Sequence, residues 1–273
     1  MVQVLGWMGA RCRQTYGGQL AELGLRAVVS GLRRTGNRRH HFEQVVTQFF
    51  YTGVEALPLV FFLALILGSA TILQSATVMP KFGAGDYFGN VMVVVIVREV
   101  GPLFTAFLIA GRTGSALSTY LGNMKVQSEI DALRTLGVDP IRYLVFPAFA
   151  ATIAALFCLT VIFNLAAIFG GFFVVKVLHA FAANATGLEL PFSLYMERIL
   201  ASMSLLDGLI GFAKPLVFGA LVSLIASHHG ITVGGDIREV PKATTSGVVN
   251  SFVAIILADS LFALPFLAKL ELL

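Results

Sequence analysis

Five long apolar segments constrain the fold of this chain more than any other feature. They cover residues 45–74, 88–118, 141–178, 197–226 and 246–270. Each has roughly twenty or more residues, and at about 1.5 Å rise per residue a helix of that length crosses the ~30 Å hydrocarbon core of a bilayer. The segments predict an all-α, polytopic membrane protein with five transmembrane helices.

The composition agrees with lipid as the solvent for much of the surface. Hydrophobic residues make up 57% of the 273 residues and charged residues 12%, about half of the ~25% usual in globular proteins. Two cysteines are too few for a disulfide scaffold, and the basic residues are not gathered on a polar domain. These observations exclude a soluble domain, a disordered chain and a nucleic-acid-binding protein.

Residues 1–41 precede the first span and have a pattern of their own. Apolar residues recur there at spacings of three, four or seven, namely Leu5, Met8, Cys12, Tyr16, Leu23 and Ala27. Such a stripe predicts an amphipathic helix lying in the membrane interface, although a helix packed on the rest of the protein fits it too. A basic flank over residues 33–41 separates this region from the membrane domain, residues 42–273.

Basic residues in the short connections predict the orientation of the spans. Nine lie on one side, namely Arg33, Arg34, Arg38, Arg39, Lys125, Arg134, Arg142, Arg238 and Lys242. Three lie on the other side, namely Lys81, Arg198 and Lys269. Because cytoplasmic connections are enriched in Lys and Arg, the N-terminus is predicted to be cytoplasmic and the C-terminus to face outward.

The connection between the second and third spans contains a predicted short helix near 126–137. Ser128-Glu129-Ile130-Asp131 has the form of a capping box, and Gly137 and Pro140 end the helix. An apolar ridge is predicted to be flanked by charges and to face a partner protein, as in ABC permeases that dock ATPase subunits through such a helix. The candidate coupling residues are Glu129, Ile130, Asp131, Leu133 and Arg134.

A longer pattern surrounds this helix. It reads Arg98-Glu99-Val-Gly-Pro, then Ala-Gly-Arg112-Thr-Gly-Ser-Ala, then Ser128 to Pro140, and a second block begins Lys-Ala-Thr-Thr at Lys242 and ends at Asp259. Together the blocks resemble the MlaE/YrbE family of lipid ABC permeases over nearly the whole chain from residue 43. The chain departs from the family at 234–241, where the family usually reads closer to Gly-Val-Gly-Arg.

The resemblance implies a permease subunit that moves phospholipid between the bacterial inner membrane and a periplasmic MCE-domain carrier, which maintains outer-membrane lipid asymmetry. The implied partners are a second copy of the chain, two cytoplasmic ATPase subunits, a hexameric MCE-domain protein and a small STAS-type protein. The sequence contains no Gly-x-x-x-x-Gly-Lys-Ser/Thr loop. We therefore expect no enzyme activity and no cofactor in this chain, with ATP and Mg bound by the partner ATPase.

Ionisable residues within the apolar segments are costly unless they face protein or water. The candidates are Arg98, Glu99, Arg112, Lys214 and Asp259. Arg98 and Glu99 point about 100° apart on a helix, so they are expected to find partners on other helices, where Lys214 and Asp259 are available.

The family resemblance gives some of these residues a role. In the family, the positions that match Arg98, Glu99 and Lys214 line or border a polar lipid cavity near the dimer axis. The alternative is a set of interhelical ion pairs that only fix packing, which is favoured for Asp259. Arg112, closer to the cytoplasmic end, is expected to contact a second subunit or a headgroup.

The positions of some phenylalanines and small residues indicate roles in acyl-chain contact and in helix packing. Phe104 and Phe107 lie near Glu99 and are candidates for acyl-chain contact, although spacing does not separate that role from packing. Small residues four apart predict a close helix contact, namely Ala110, Gly114, Ser118 and Gly122, and Gly219 with Ser223 predicts a second.

Two alternatives to a phospholipid permease remain open at this point. An ion- or proton-coupled carrier, or an intramembrane structural protein, would use Glu99 and Asp259 as proton sites, and inverted repeats would favour it. A permease for another hydrophobic cargo, such as sterol-like molecules, has the same sequence features. The histidine pairs at 40–41 and 228–229 lack further ligands nearby, so no metal site is predicted.

Overall fold

All five predicted spans are helices in the computed structural model of the protein, which describes residues 16–32, 38–83, 88–181 and 191–270. The structure is 91% helical, and no strand occurs among these residues. The five long helices, each long and apolar enough to cross a membrane, are α2 (Phe42–Ser75), α3 (Gly89–Val126), α5 (Ile141–Val177), α7 (Leu205–Ile231) and α8 (Glu239–Leu264). Three shorter helices are α1 (Tyr16–Leu32), α4 (Glu129–Thr135) and α6 (Phe192–Ser202). The predicted all-α, five-span fold class is confirmed.

The described chain forms two compact units. The first contains residues up to Thr52, Leu108–Ala155 and Val217–Ala258, and the second contains Gly53–Phe107, Leu156–Leu216 and the residues from Asp259 onward. Each of the five long helices contributes one part to each unit. Among the described residues, those of the connections predicted to be cytoplasmic belong to the first unit, and those of the connections predicted to face outward belong to the second.

The fourth span begins later than its composition predicts. The apolar segment starts at 197, but α6 ends at Ser202, the backbone of Met203 is extended, and α7 begins at Leu205. The start of α7 is fixed by Ser204, whose hydroxyl accepts a hydrogen bond from the Asp207 N–H at 3.3 Å while its own N–H donates to the Asp207 carboxylate at 3.0 Å. This reciprocal capping box ends one helix pattern and starts the next, although hydropathy is continuous across it.

Two other span ends also differ from the prediction. α3 continues to Val126 rather than ending at 118, because Leu117 and Leu121 are buried in a core cluster with Ala148 and Ala226. α8 begins at Glu239 rather than 246. The residues from 239 to 245 are helical, although several of them are polar and hydropathy alone does not include them in the span. Composition locates the hydrocarbon-compatible part of a helix, and packing determines how far the helix continues.

Small residues bring helices of the first unit into close contact, as their spacing predicts. Ala110, Gly114, Ser118 and Gly122 are all buried. A Cβ added to Gly230 on α7 would lie 2.8 Å from the Ser118 carbonyl oxygen, and one added to Gly219 would lie 2.8 Å from the Ile153 Cα. These positions accept only glycine without movement of backbone.

The amphipathic helix predicted before the first span is described from Tyr16 onward as α1, and the stripe residues Leu5, Met8 and Cys12 lie outside the described residues. α1 packs within the first unit, where Ala27 is completely buried. The Tyr16 hydroxyl lies 3.0 Å from Nε2 of His229, and the Asn250 amide nitrogen lies 2.9 Å from the same atom. Burial raises the pKa of Tyr16, which keeps the hydroxyl protonated. α1 therefore packs against other helices of the first unit. Its predicted position in the membrane interface stays a prediction.

Candidate functional site

Five charged residues of the second unit form a network inside the predicted membrane spans. Arg98 and Glu99 lie in a π-helical stretch of α3, Val93–Val100, and π-helical turns occur frequently at functional sites. Asp207 and Lys214 lie on α7, seven residues apart, so they occupy one face about two turns from each other. Asp259 contributes from α8.

Arg98 pairs with Asp207. Its guanidinium donates to Oδ1 of that carboxylate, and Oδ2 accepts from the Ser204 hydroxyl at 2.8 Å and the Ser204 N–H at 3.0 Å. Only 3% of the Asp207 side chain is exposed. A buried carboxylate with both oxygens hydrogen-bonded is held in one orientation, so this pair fixes α3 against the start of α7.

Lys214 joins the other two carboxylates of the network, those of Glu99 and Asp259. Its Nζ donates to Glu99 Oε2 at 2.9 Å and to the Arg98 carbonyl oxygen at 2.9 Å, and it lies 2.8 Å from Asp259 Oδ1. The Lys214 side chain is 1% exposed, compared with 17% for Asp259 and 38% for Glu99. Three acceptors therefore surround an ammonium group that has three N–H donors.

The network carries an excess of negative charge, and its side chains differ in how far they are exposed. Arg98 and Lys214 supply two positive charges, and Glu99, Asp207 and Asp259 supply three negative ones, for a formal sum of −1. Glu99 has the most exposed side chain of these five residues. A carboxylate exposed at this depth requires water, a polar ligand or another protein surface, because bare hydrocarbon does not solvate it.

Sequence reasoning found most of this network but missed one member. It predicted partners from other helices for Arg98 and Glu99, and the Glu99–Lys214 and Lys214–Asp259 pairs are present. The partner of Arg98 is Asp207, which the sequence analysis did not single out. The available signal was Ser204-Leu-Leu-Asp207 before an apolar run, which has the form of a capping box.

The other candidates are Arg112, Phe104 and Phe107. Arg112 belongs to the first unit, where its Nη1 donates to the Tyr51 carbonyl oxygen at 3.2 Å. Phe104 is exposed and Phe107 is half-buried. On an ideal helix Phe107 is rotated about 80° from Glu99 and Phe104 about 140°, so Phe107 is closer to the side of α3 that carries Glu99.

The short helix α4 forms where it was predicted, but its cap does not. Ser128 has a φ of 60° and makes no capping hydrogen bond. Asp131 instead accepts hydrogen bonds from Lys125 at 3.0 Å and Arg134 at 3.1 Å. The hydrogen bond from Lys125 and the nearby positive charges lower the pKa of Asp131, which keeps this carboxylate ionised.

The C-terminal end of α4 agrees with the prediction. Gly137 has a φ of 75°, its N–H donates to the Arg134 carbonyl at 3.0 Å, and the Val138 N–H donates to the Leu133 carbonyl at 3.0 Å. These two hydrogen bonds form a Schellman motif, in which glycine takes the left-handed position. The helix therefore ends with a fixed geometry.

The surface of α4 differs from the predicted apolar ridge. Ile130 is completely buried within its own chain, and Leu133 is half-buried. Glu129, Arg134 and Leu136 are exposed. Ile130 thus anchors α4 to the rest of the first unit, and the surface open to a partner consists mainly of charged residues and Leu136.

Comparison with known proteins decides the class. The family described as permease MlaE matches residues 45–264. The chain belongs to the MlaE permease family. A probable ABC transporter permease protein of Rickettsia bellii is 32% identical over 221 residues, which cover 81% of this chain and 82% of that protein.

Relatives of this permease occur outside the Rickettsia. A probable ABC transporter permease protein of Synechocystis is 31% identical, over 82% of this chain and 80% of that protein. Protein TRIGALACTOSYLDIACYLGLYCEROL 1, chloroplastic, of Arabidopsis thaliana is 30% identical, over 80% of this chain and 60% of that protein. This permease is therefore a multi-pass membrane subunit of an ABC transporter, and the ion- or proton-coupled carrier loses its support.

Proposed function

We propose that this permease moves phospholipid between the bacterial inner membrane and a periplasmic MCE-domain lipid carrier. The observation that carries the proposal is the half-exposed Glu99 carboxylate, held at bilayer depth by a buried Lys214. A lipid passing along α3 supplies both a polar headgroup for this carboxylate and acyl chains for the surrounding apolar side chains. The Arabidopsis relative has a glycolipid in its name, which favours a lipid cargo over sterol-like molecules.

The same proposal assigns partners to the two ends of the spans. Two cytoplasmic ATPase subunits bind α4 of a permease homodimer and supply ATP and Mg, and a hexameric MCE-domain protein binds on the periplasmic side. A STAS-type protein completes the cytoplasmic assembly. In this arrangement the transporter maintains the lipid asymmetry of the outer membrane.

The orientation follows from the distribution of basic residues. Lys125 at the end of α3, Arg134 on α4 and Arg238 between α7 and α8 belong to the unit that also contains α1. Because positive charge favours the cytoplasmic side, we propose a cytoplasmic N-terminus and a periplasmic C-terminus in the inner membrane. This orientation places α4 on the side where ATP is available.

Charge reversal on α4 is expected to release the ATPase and tests the assembly. Glu129→Lys and Asp131→Lys reverse charges at the open surface, and Leu133→Asp adds a charge at its half-buried edge. A two-turn helix offers few contacts, so each change is expected to reduce the copurifying ATPase at least about tenfold. The measurement is the molar ratio of ATPase to permease after detergent solubilisation.

A matched control is available on the opposite side of the predicted membrane. Glu197→Lys introduces the same charge change at an exposed position of α6 and is expected to leave the ratio unchanged. Because Ile130 is buried, Ile130→Ala is expected to lower thermal stability as well as ATPase binding. Parental stoichiometry in all three α4 variants would falsify the assignment of α4 as the ATPase contact.

A further inference from the structure

Lys214 makes two hydrogen bonds and a further ion pair within its own chain. Its ammonium group has three N–H donors, and three oxygens lie around it, those of Arg98, Glu99 and Asp259, at 2.8–2.9 Å. The side chain is 1% exposed. Because the ammonium group is buried among these oxygens, Lys214 orients the network and is not accessible to a bound molecule.

The exposed group of the network is an acceptor. The carboxylate of Asp207 is buried and held by Arg98 and Ser204. Glu99 has 38% of its side chain exposed; its Oε2 accepts from Lys214, and its carboxylate lies beside that of Asp259. Since the five residues sum to a formal charge of −1, the group that a ligand meets is a negatively charged oxygen rather than a cation.

The surroundings of Glu99 along α3 are apolar. Val95 lies four residues before it and Leu103 four residues after it, and both are partly exposed. A separation of four residues places side chains on nearly the same face of a helix. The accessible surface thus combines one carboxylate with apolar side chains on both sides, which matches a molecule with a cationic donor beside hydrocarbon chains.

We propose that this permease recognises its lipid through the primary ammonium group of the headgroup, which donates a hydrogen bond to the Glu99 carboxylate. The inference rests on the proposed phospholipid function and specifies the headgroup chemistry. A charge-assisted hydrogen bond from N–H to carboxylate is stronger than a neutral one. A headgroup that presents only phosphate and hydroxyl groups meets repulsion from the net negative charge.

The test is competition between headgroups in nanodiscs of defined composition. The full-length permease is reconstituted with equal amounts of phosphatidylethanolamine, phosphatidylcholine and phosphatidylglycerol, extracted, and analysed for bound lipid by native mass spectrometry. Phosphatidylethanolamine is expected to be enriched about tenfold over phosphatidylglycerol, which corresponds to about 1.4 kcal/mol. Phosphatidylcholine, with a positive charge but no N–H, is expected to fall between the two.

Glu99→Gln removes the charge but retains the shape of the side chain. Its residual bound lipid is expected to show the ratio of the nanodisc, whereas Glu99→Asp keeps the charge and should retain part of the preference. Glu197→Gln, on exposed α6, is the matched control and is expected to keep the parental ratio. The comparison of headgroups in the parent protein does not depend on the folding of any variant.

Each other outcome is decisive. Phospholipid bound without headgroup preference, or enrichment of phosphatidylglycerol, overturns the headgroup inference and leaves the proposed function standing. No bound phospholipid in the parent overturns the proposed function itself. A Glu99→Gln protein that dissociates into monomers with an unchanged lipid ratio would show that a second copy covers Glu99, which also overturns the inference.

Discussion

Replacing Lys214 by methionine is expected to destabilise this permease strongly. The side chain is 1% exposed and faces Glu99 and Asp259, so the change leaves two carboxylates close together with no cation between them. Removing one partner from a buried ion pair typically costs about 3–5 kcal/mol. The measurement is the thermal unfolding midpoint of detergent-solubilised protein, followed by circular dichroism.

Control variants separate the loss of the ion pairs from the loss of side-chain packing. Lys176→Met makes the same substitution at an exposed position, where Nζ lies over the Phe172 ring, and is expected to shift the midpoint little. Adding Glu99→Gln and Asp259→Asn to Lys214→Met removes the abandoned charges and is expected to restore most of the stability. Equal midpoints for Lys214→Met and Lys176→Met would contradict the buried network.

Replacing Gly219 by alanine is expected to disturb packing in the first unit. The added Cβ would lie 2.8 Å from the Ile153 Cα, and a backbone atom cannot turn away as a side chain does. Overpacking of this kind costs about 1–3 kcal/mol. The expected result is a lower thermal midpoint and a reduced yield of folded protein in size-exclusion chromatography.

Gly208, on the same helix, provides the matched control. A Cβ added there meets no atom within 4 Å. Because alanine is favoured over glycine in a helix by about 0.5–1 kcal/mol, Gly208→Ala is expected to leave the midpoint unchanged or to raise it. A Gly219→Ala protein as stable as Gly208→Ala would show that α7 is not held closely at Ile153.

The number of spans was predictable because hydrocarbon thickness fixes a minimum apolar length. The span ends were less predictable, because hydropathy does not record caps. The apolar run from 197 to 226 contains the break at Ser204, and the helical start of α8 includes polar Thr244 and Thr245. Both ends depend on hydrogen bonds and packing that composition does not report.

The candidate site was predictable to the extent that charge is rare within spans. Arg98, Glu99, Lys214 and Asp259 were identified because few charged residues lie within the spans. Their pairing depends on the relative register of α3, α7 and α8, which the sequence does not give. Asp207 was missed although it lies inside the predicted segment 197–226, because hydropathy does not show the helix start at Leu205 that makes it part of a cap. The cap at Ser128 was predicted wrongly, because nearby Lys125 competes for Asp131 and Ser128 takes a left-handed conformation.

The phospholipid content of Glu99→Gln protein tests the central claim most directly. Lys214 retains Asp259 as a partner in this variant, so the thermal midpoint is expected to stay near that of the parent. The measurement is phospholipid per permease chain, by mass spectrometry of the purified protein. The proposal predicts a clear loss of phospholipid at unchanged stability and unchanged ATPase stoichiometry. Parental phospholipid content together with a large fall in the midpoint would contradict it and show that Glu99 serves only to pack the helices.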